Sequence, residues 1–179
     1  MLYDATKWVP VERQIEGRIE SAKSNKDRYF QAQRFNRKMR ATDASHGFAA
    51  HISDLLLINI HGPHQWKRGV TENLDDIVAQ FPPVTHIVVT ADFNREIQRN
   101  YTLLTGHALT RATDAKTGYN TSGTAGCSYK VQSDNVLCTG KLIRHETWNS
   151  SQRTILPKDE SCNQSSDHSP VASQWSVAY

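Results

Sequence analysis

The chain has 179 residues, 37% hydrophobic and 22% charged, with a formal net charge of +3. That length fits one domain able to bury a core, and the composition argues against bulk disorder. The longest apolar run, Leu55 to Ile60, is too short to cross a bilayer, and the first residues show neither a charged n-region nor an apolar h-region.

The charge is uneven. Residues 1 to 40 hold ten Lys/Arg against five Asp/Glu, a local +5, while the remainder sums to −2. A basic flank of this kind attracts a polyanion such as DNA or anionic headgroups, although many such stretches are only solvated faces. Cys127, Cys138 and Cys162 do not have zinc-knuckle spacing. Cys127 and Cys138 can form a bridge, or all three are thiols beside strands.

In chain order, Met1 to Asp4 reads as the end of a strand. Val9 to Asp27 is polar with few apolar residues and predicts a loop or a marginal helix. Arg28 to Arg37 alternates, with Phe30, Ala32 and Arg34 on one face and Tyr29, Gln31, Gln33 and Phe35 on the other, as in a half-buried strand. Gly47 to Ile52 and Leu55 to His61 read as a hairpin turning at Ser53-Asp54. Val70, Leu74, Ile77, Val78 and Phe81 recur at helical spacing, and Pro82-Pro83 stops that helix. A buried strand, His86 to Thr90, follows and delivers Asp92 at its end. Further strands are expected at His107 to Arg111, Asp134 to Thr139 and Val171 to Val177. Mostly strands with an interposed helix imply packed sheets flanked by helices.

Several of these strands begin or end in polar residues: His61, Asp92 with Asn94, Asp134, and Asp167-His168. Gathered on one rim, carboxylates can hold a hard divalent cation while an imidazole or carboxylate prepares a water for attack on a phosphoryl centre. Singly, each has a plainer explanation, since Asp and Asn after a strand are common turn formers.

Val88-Val89-Thr90-Ala91-Asp92-Phe93-Asn94-Arg95-Glu96 resembles the strand and G-D-F-N segment of the endonuclease/exonuclease/phosphatase superfamily, the deoxyribonuclease I-like fold. Ser166-Asp167-His168-Ser169-Pro170-Val171 resembles its terminal S-D-H-x-P-V. Ile58-Asn59-Ile60-His61 resembles the strand ending in its first histidine, and Ser133-Asp134-Asn135-Val136-Leu137 its I-D-Y-I strand. Asp-Phe-Asn-Arg-Glu and Ser-Ser-Asp-His are similar to the nuclease subunit of cytolethal distending toxins.

The resemblance implies an α/β (α+β) sandwich of two mixed sheets flanked by helices, in a single domain over residues 1–179. It implies a magnesium-dependent phosphodiesterase (manganese or calcium are alternatives) acting on the DNA backbone. By the same resemblance His168 would be the base, oriented by Asp134, and Asp167 and Asp92 the metal ligands. Asn94 and Arg28 would meet the substrate phosphate, and His61 would serve the leaving group. The family's opening strand, helix and glutamate-bearing strand should precede Met1, and their absence implies weaker metal binding and an open sheet edge. A homodimer, or another chain, could supply the missing strands. The alternatives are a catalytically weak or inactive binding module and a phosphoinositide phosphatase.

Overall fold

In the computed structural model the described residues are 5–23, 26–38, 54–112, 114 and 133–139, with the backbone of strands at 118–119, 129–131, 142–149 and 171–177. The first strands are β1 (Trp8–Ile19), β2 (Arg28–Arg37) and β3 (Asp54–His61). A helix, α1 (Val70–Val78), leads to β4 (His86–Asp92), β5 (Asn100–Thr102) and β6 (Ala108–Arg111). Then come β7 (Gly118–Tyr119), β8 (Tyr129–Val131), β9 (Asp134–Thr139), β10 (Leu142–Asn149) and β11 (Val171–Val177).

Seven strands form one mixed sheet in the order β1-β2-β3-β4-β9-β6-β5. Only β3 and β4 are parallel neighbours within it, and parallel neighbours need a crossover, which α1 supplies. Two smaller ladders pair β10 with β11 and β7 with β8, and β11 lies near β9.

The core occupies the helix-covered face of the sheet. Leu56, Ile58 and Ile60 of β3, Ile87 and Val89 of β4 and Leu137 of β9 alternate onto it and meet Val70, Leu74, Ile77 and Val78 of α1. Alternation then sends Asn59, His61, Thr90, Asp92 and Asp134 to the opposite face. At the start of α1 Gly69 has no side chain to cap the helix, but its N–H donates to the Glu72 carboxylate, which also sits favourably near the positive end of the helix. The helix stops at Ala79, three residues before the two prolines.

Two expectations fail. Residues 9–19 are not a loop or helix but most of β1, paired antiparallel with β2. Its composition misleads because β1 is the last strand at its edge of the sheet among the described residues, and water reaches most of its side chains. A bulge also breaks the period-two pattern: the register jumps between Val11 and Ile15, with Glu12 at φ 69°. Buried Gln33, opposite the bulge, donates to the carbonyls of Val11 and Glu12 at 3.0 and 3.3 Å. Such a bulge makes an edge a poor template for further pairing.

The second correction concerns Asp54. It is a strand residue opposite Asn36, and the antiparallel neighbour of β3 is β2. The carboxylate is buried because it is occupied: Thr85 N–H donates to Oδ1 at 2.9 Å and Arg34 reaches Oδ2 at 3.4 Å. Residues 47–53, Met1 to Asp4, Cys127 and Cys162 lie outside the described residues. Cys138 is buried on β9, its Sγ 3.9 Å from the Thr110 carbonyl oxygen.

Candidate active site

Parallel pairing of β3 with β4 puts His61 directly beside Asp92, and antiparallel pairing of β4 with β9 puts Asp92 directly beside Asp134. Residues paired across strands share a face, so these three form one row at the rim of the sheet. His61 Nε2 is 3.7 Å from Asp92 Oδ2, an ion-pair distance when the imidazole is protonated. The histidine side chain is 59% exposed and the aspartate 22%, so the row opens to solvent on the His61 side. Ser133 Oγ donates to Asp134 Oδ2 at 3.1 Å.

Asn94 completes the cluster through a tight turn. It has φ 50°, a left-handed conformation that asparagine tolerates better than most residues. Its backbone N–H donates to Asp92 Oδ1 at 2.8 Å, and its side-chain amide donates to Asp92 Oδ2 at 3.0 Å and to the Gly62 carbonyl at 2.9 Å. Asn94 thus fixes both carboxylate oxygens of Asp92 and ties the loop after β4 to the loop after β3. Both of its amide hydrogens are engaged within the protein, so donation to a phosphate oxygen requires releasing one of them.

Three further residues at this site were not singled out from the sequence. Asn59 and Thr90 form the next row inward, and Thr90 Oγ1 donates to Asn59 Oδ1 at 3.2 Å. Each lies two residues before a member of the first row, so strand period alone could have found them. Trp66 holds the two loops together: its indole N–H donates to the Phe93 carbonyl at 2.9 Å, and its ring stacks on Phe93 with centroids 6.4 Å apart. Gly62 lies under the indole, where a Cβ would overlap Trp66 and come within 2.9 Å of the Phe93 carbonyl oxygen. Trp66 also bridges to Ser21, and Lys67 pairs with Glu20 at 2.6 Å, so the turn between β1 and β2 is fastened to the same rim. That turn carries Lys23 and Lys26, both exposed.

The rim therefore assembles His61, Asp92, Asn94 and Asp134 from three separate segments. Arg28 stands at the same end of the sheet, paired with Ile19, but its Cβ leaves β2 on the helix-covered face, opposite the row. Its Nη1 donates to the Asp27 carbonyl at 3.3 Å. Asp167 and His168 lie outside the described residues. Among those described, no three His, Cys, Asp or Glu side chains gather as a metal cage. The donors at the rim suit a hard cation that takes one or two carboxylates and keeps its waters, because Asp92 and Asp134 present adjacent carboxylates on one half-exposed face.

No protein-family model matches the chain, and neither does any curated protein sequence. Solved structures do. An endonuclease/exonuclease/phosphatase from Bacteroides vulgatus superposes with a TM-score of 0.63 at 13% identity, covering 98% of this chain and 69% of the other. The human Nocturnin catalytic domain, solved with a bound sulfate anion, gives 0.57 at 15%, and this chain spans 62% of its length. A mannosyl-6-phosphatase from Bacteroides thetaiotaomicron gives 0.53 at 14%, covering 98% and 69%. The mixed seven-stranded sheet, its crossover helix and these superpositions establish that the chain has the deoxyribonuclease I-like fold of endonuclease/exonuclease/phosphatase proteins.

Proposed function

We propose that this chain is a divalent-cation-dependent phosphoester hydrolase whose substrate is the phosphodiester backbone of DNA, cut with little sequence preference. One observation carries the reading: His61, Asp92 and Asn94, and Asp134, from three separate segments, meet in one row on one face, with the carboxylate of Asp92 held at both oxygens. Turn formation accounts for the Asp92–Asn94 pair but not for an imidazole and a second carboxylate drawn from other strands to the same rim. Exposed Lys23 and Lys26 on the turn beside it, where Asp27 and Glu20 are already paired with Arg18 and Lys67, suit a polyanion.

Each residue then has a role that its chemistry permits. Asp92, fixed by Asn94, and Asp167 are the residues that would hold the cation. A magnesium ion held there would supply neutralisation of charge on the phosphoryl oxygens. His61, the more exposed member of the row, gives a proton to the leaving oxygen. His168, by its place in the S-D-H-x-P-V motif, would take the proton from the attacking water, with Asp134 to orient it.

A second reading is hydrolysis of a phosphomonoester, favoured by the fold neighbour that is a mannosyl-6-phosphatase. The deciding experiment incubates the purified chain with supercoiled plasmid, mannose 6-phosphate and a phosphoinositide in parallel, in magnesium and in EDTA. Nicking that requires magnesium supports the nuclease. Phosphate release from either monoester without nicking moves the chain to the phosphatases. Binding to DNA without turnover of any substrate makes it a binding module and overturns the hydrolase.

A further inference from the structure

The row at the rim extends beyond the candidate active site. The β2–β3 register Phe30↔Ile60, carried one residue further, sets Tyr29 beside His61, and Tyr29 is itself paired with Arg18 of β1. Paired residues share a face, so Arg18, Tyr29, His61, Asp92 and Asp134 follow one another across five strands. Neighbouring strands lie ~4.8 Å apart, which puts the phenol one strand from the imidazole.

Tyr29 is 65% exposed. Among the described residues the other exposed large apolar side chains are Val9, at 41%, and Leu104, at 92%. Neither is at this rim: Val9 pairs with Asn36 at the far end of β1, and Leu104 is in the turn between β5 and β6. The backbone beneath Tyr29 is firmly held. Arg18 is ion-paired with Asp27, and the Asp27 carboxylate accepts the Ser21 N–H at 2.7 Å, closing the β1–β2 turn. Gly17, opposite Phe30, leaves room for the Phe30 ring on the other face. An exposed aromatic on a firmly paired strand next to a phosphoester site is a surface on which a planar group can stack.

We propose that Tyr29 is a substrate-binding residue on which an unpaired nucleobase, adjacent to the scissile phosphate, stacks. The proposal rests on the hydrolase reading for its location and adds to it a preference for single-stranded or locally unpaired nucleic acid, because the bases of an intact duplex do not present their faces. Arg18 is engaged by Asp27, so the aromatic ring is the group that this part of the row offers to a ligand.

The test is fluorescence anisotropy with a short labelled single-stranded oligonucleotide and with the same strand carrying abasic positions, in EDTA so that no turnover occurs. Tyr29→Ala is expected to weaken binding of the normal strand by roughly 5- to 150-fold. It should leave the abasic strand unchanged, and Tyr29→Phe should bind the normal strand nearly as wild type does. Equal affinities for wild type and Tyr29→Ala, or equal losses on both strands, would overturn the proposal. Tyr29 is exposed, so Tyr29→Ala leaves the core packing in place, and Tyr29→Phe checks it. Because the measurement needs no catalysis, base-dependent binding in a chain that cleaves nothing would sink the hydrolase and leave the stacking site standing.

Discussion

Asn94 donates its backbone N–H to one carboxylate oxygen of Asp92 and its side-chain amide to the other, at 2.8 and 3.0 Å. A carboxylate gripped at both oxygens cannot rotate freely, and the residue gripping it adopts φ 50° to do so. Two consequences separate here. Asn94→Gly keeps the turn and the backbone N–H on Oδ1 but loses the side-chain amide's hold on Oδ2, whereas Asn94→Ala also strains the left-handed backbone. The alanine variant should be less stable than the glycine variant by about 1 kcal/mol in urea unfolding. Both should lose about 10²-fold in kcat, the scale of misplacing one catalytic group.

Gly62 follows His61 and lies beneath the Trp66 indole. Gly62→Ala would force a Cβ into the indole and against the Phe93 carbonyl, so the two loops must part. Overpacking of this kind costs about 1–3 kcal/mol, and kcat should fall with it. Gly106→Ala is the control, since a Cβ there meets open space and only its φ of +83° is strained. That variant should melt earlier than wild type while keeping full kcat.

Trp66→Phe keeps a ring over Gly62 but removes the N–H that reaches the Phe93 carbonyl. Loss of one hydrogen bond should cost about 0.5–1.5 kcal/mol by chemical denaturation. Because Phe93 stands between Asp92 and Asn94, kcat should fall with little change in KM. A change confined to KM would mean that Trp66 touches substrate directly.

The Ser21 N–H and then the Arg18 guanidinium hold the Asp27 carboxyl below its ordinary 3.8. A lowered folded-state value means stability that is present above about pH 4 and is lost as pH falls through the folded value. The melting-temperature gap between wild type and Asp27→Asn should therefore be full at neutral pH and narrow on acidification below 3.8. A gap that stays constant down to strongly acidic pH would show that the carboxylate charge is not what matters.

Much of this arrangement was legible in the residues. Apolar runs at 86–92 and 134–139 and the helical spacing of Val70, Leu74, Ile77 and Val78 are strong because the first strand and the helix bury one side against the core and residues 135–139 are buried on both. Strand β1 was hidden because an edge strand keeps charged side chains in water, and the Glu12 bulge erased its alternation. Asp54 read as a turn because its partners, Arg34 and the Thr85 N–H, are distant in sequence. Within the site, His61, Asp92, Asn94 and Asp134 each sat at a recognisable strand end. Their adjacency depends on which strands are neighbours, and that is decided by the crossover of α1 rather than by any local pattern. The place of Tyr29 next to His61 is of the same kind, because the two belong to strands separated by a long connection.

Catalysis by the row His61, Asp92, Asp134 is measured by kcat/KM for magnesium-dependent plasmid nicking by Asp92→Asn. With the fold confirmed by circular dichroism, the expected result is a loss of at least about 10²-fold, the scale on which removing one such group slows catalysis, and no rescue by added magnesium. An Asp92→Asn variant that is folded and nicks DNA as fast as wild type would contradict it.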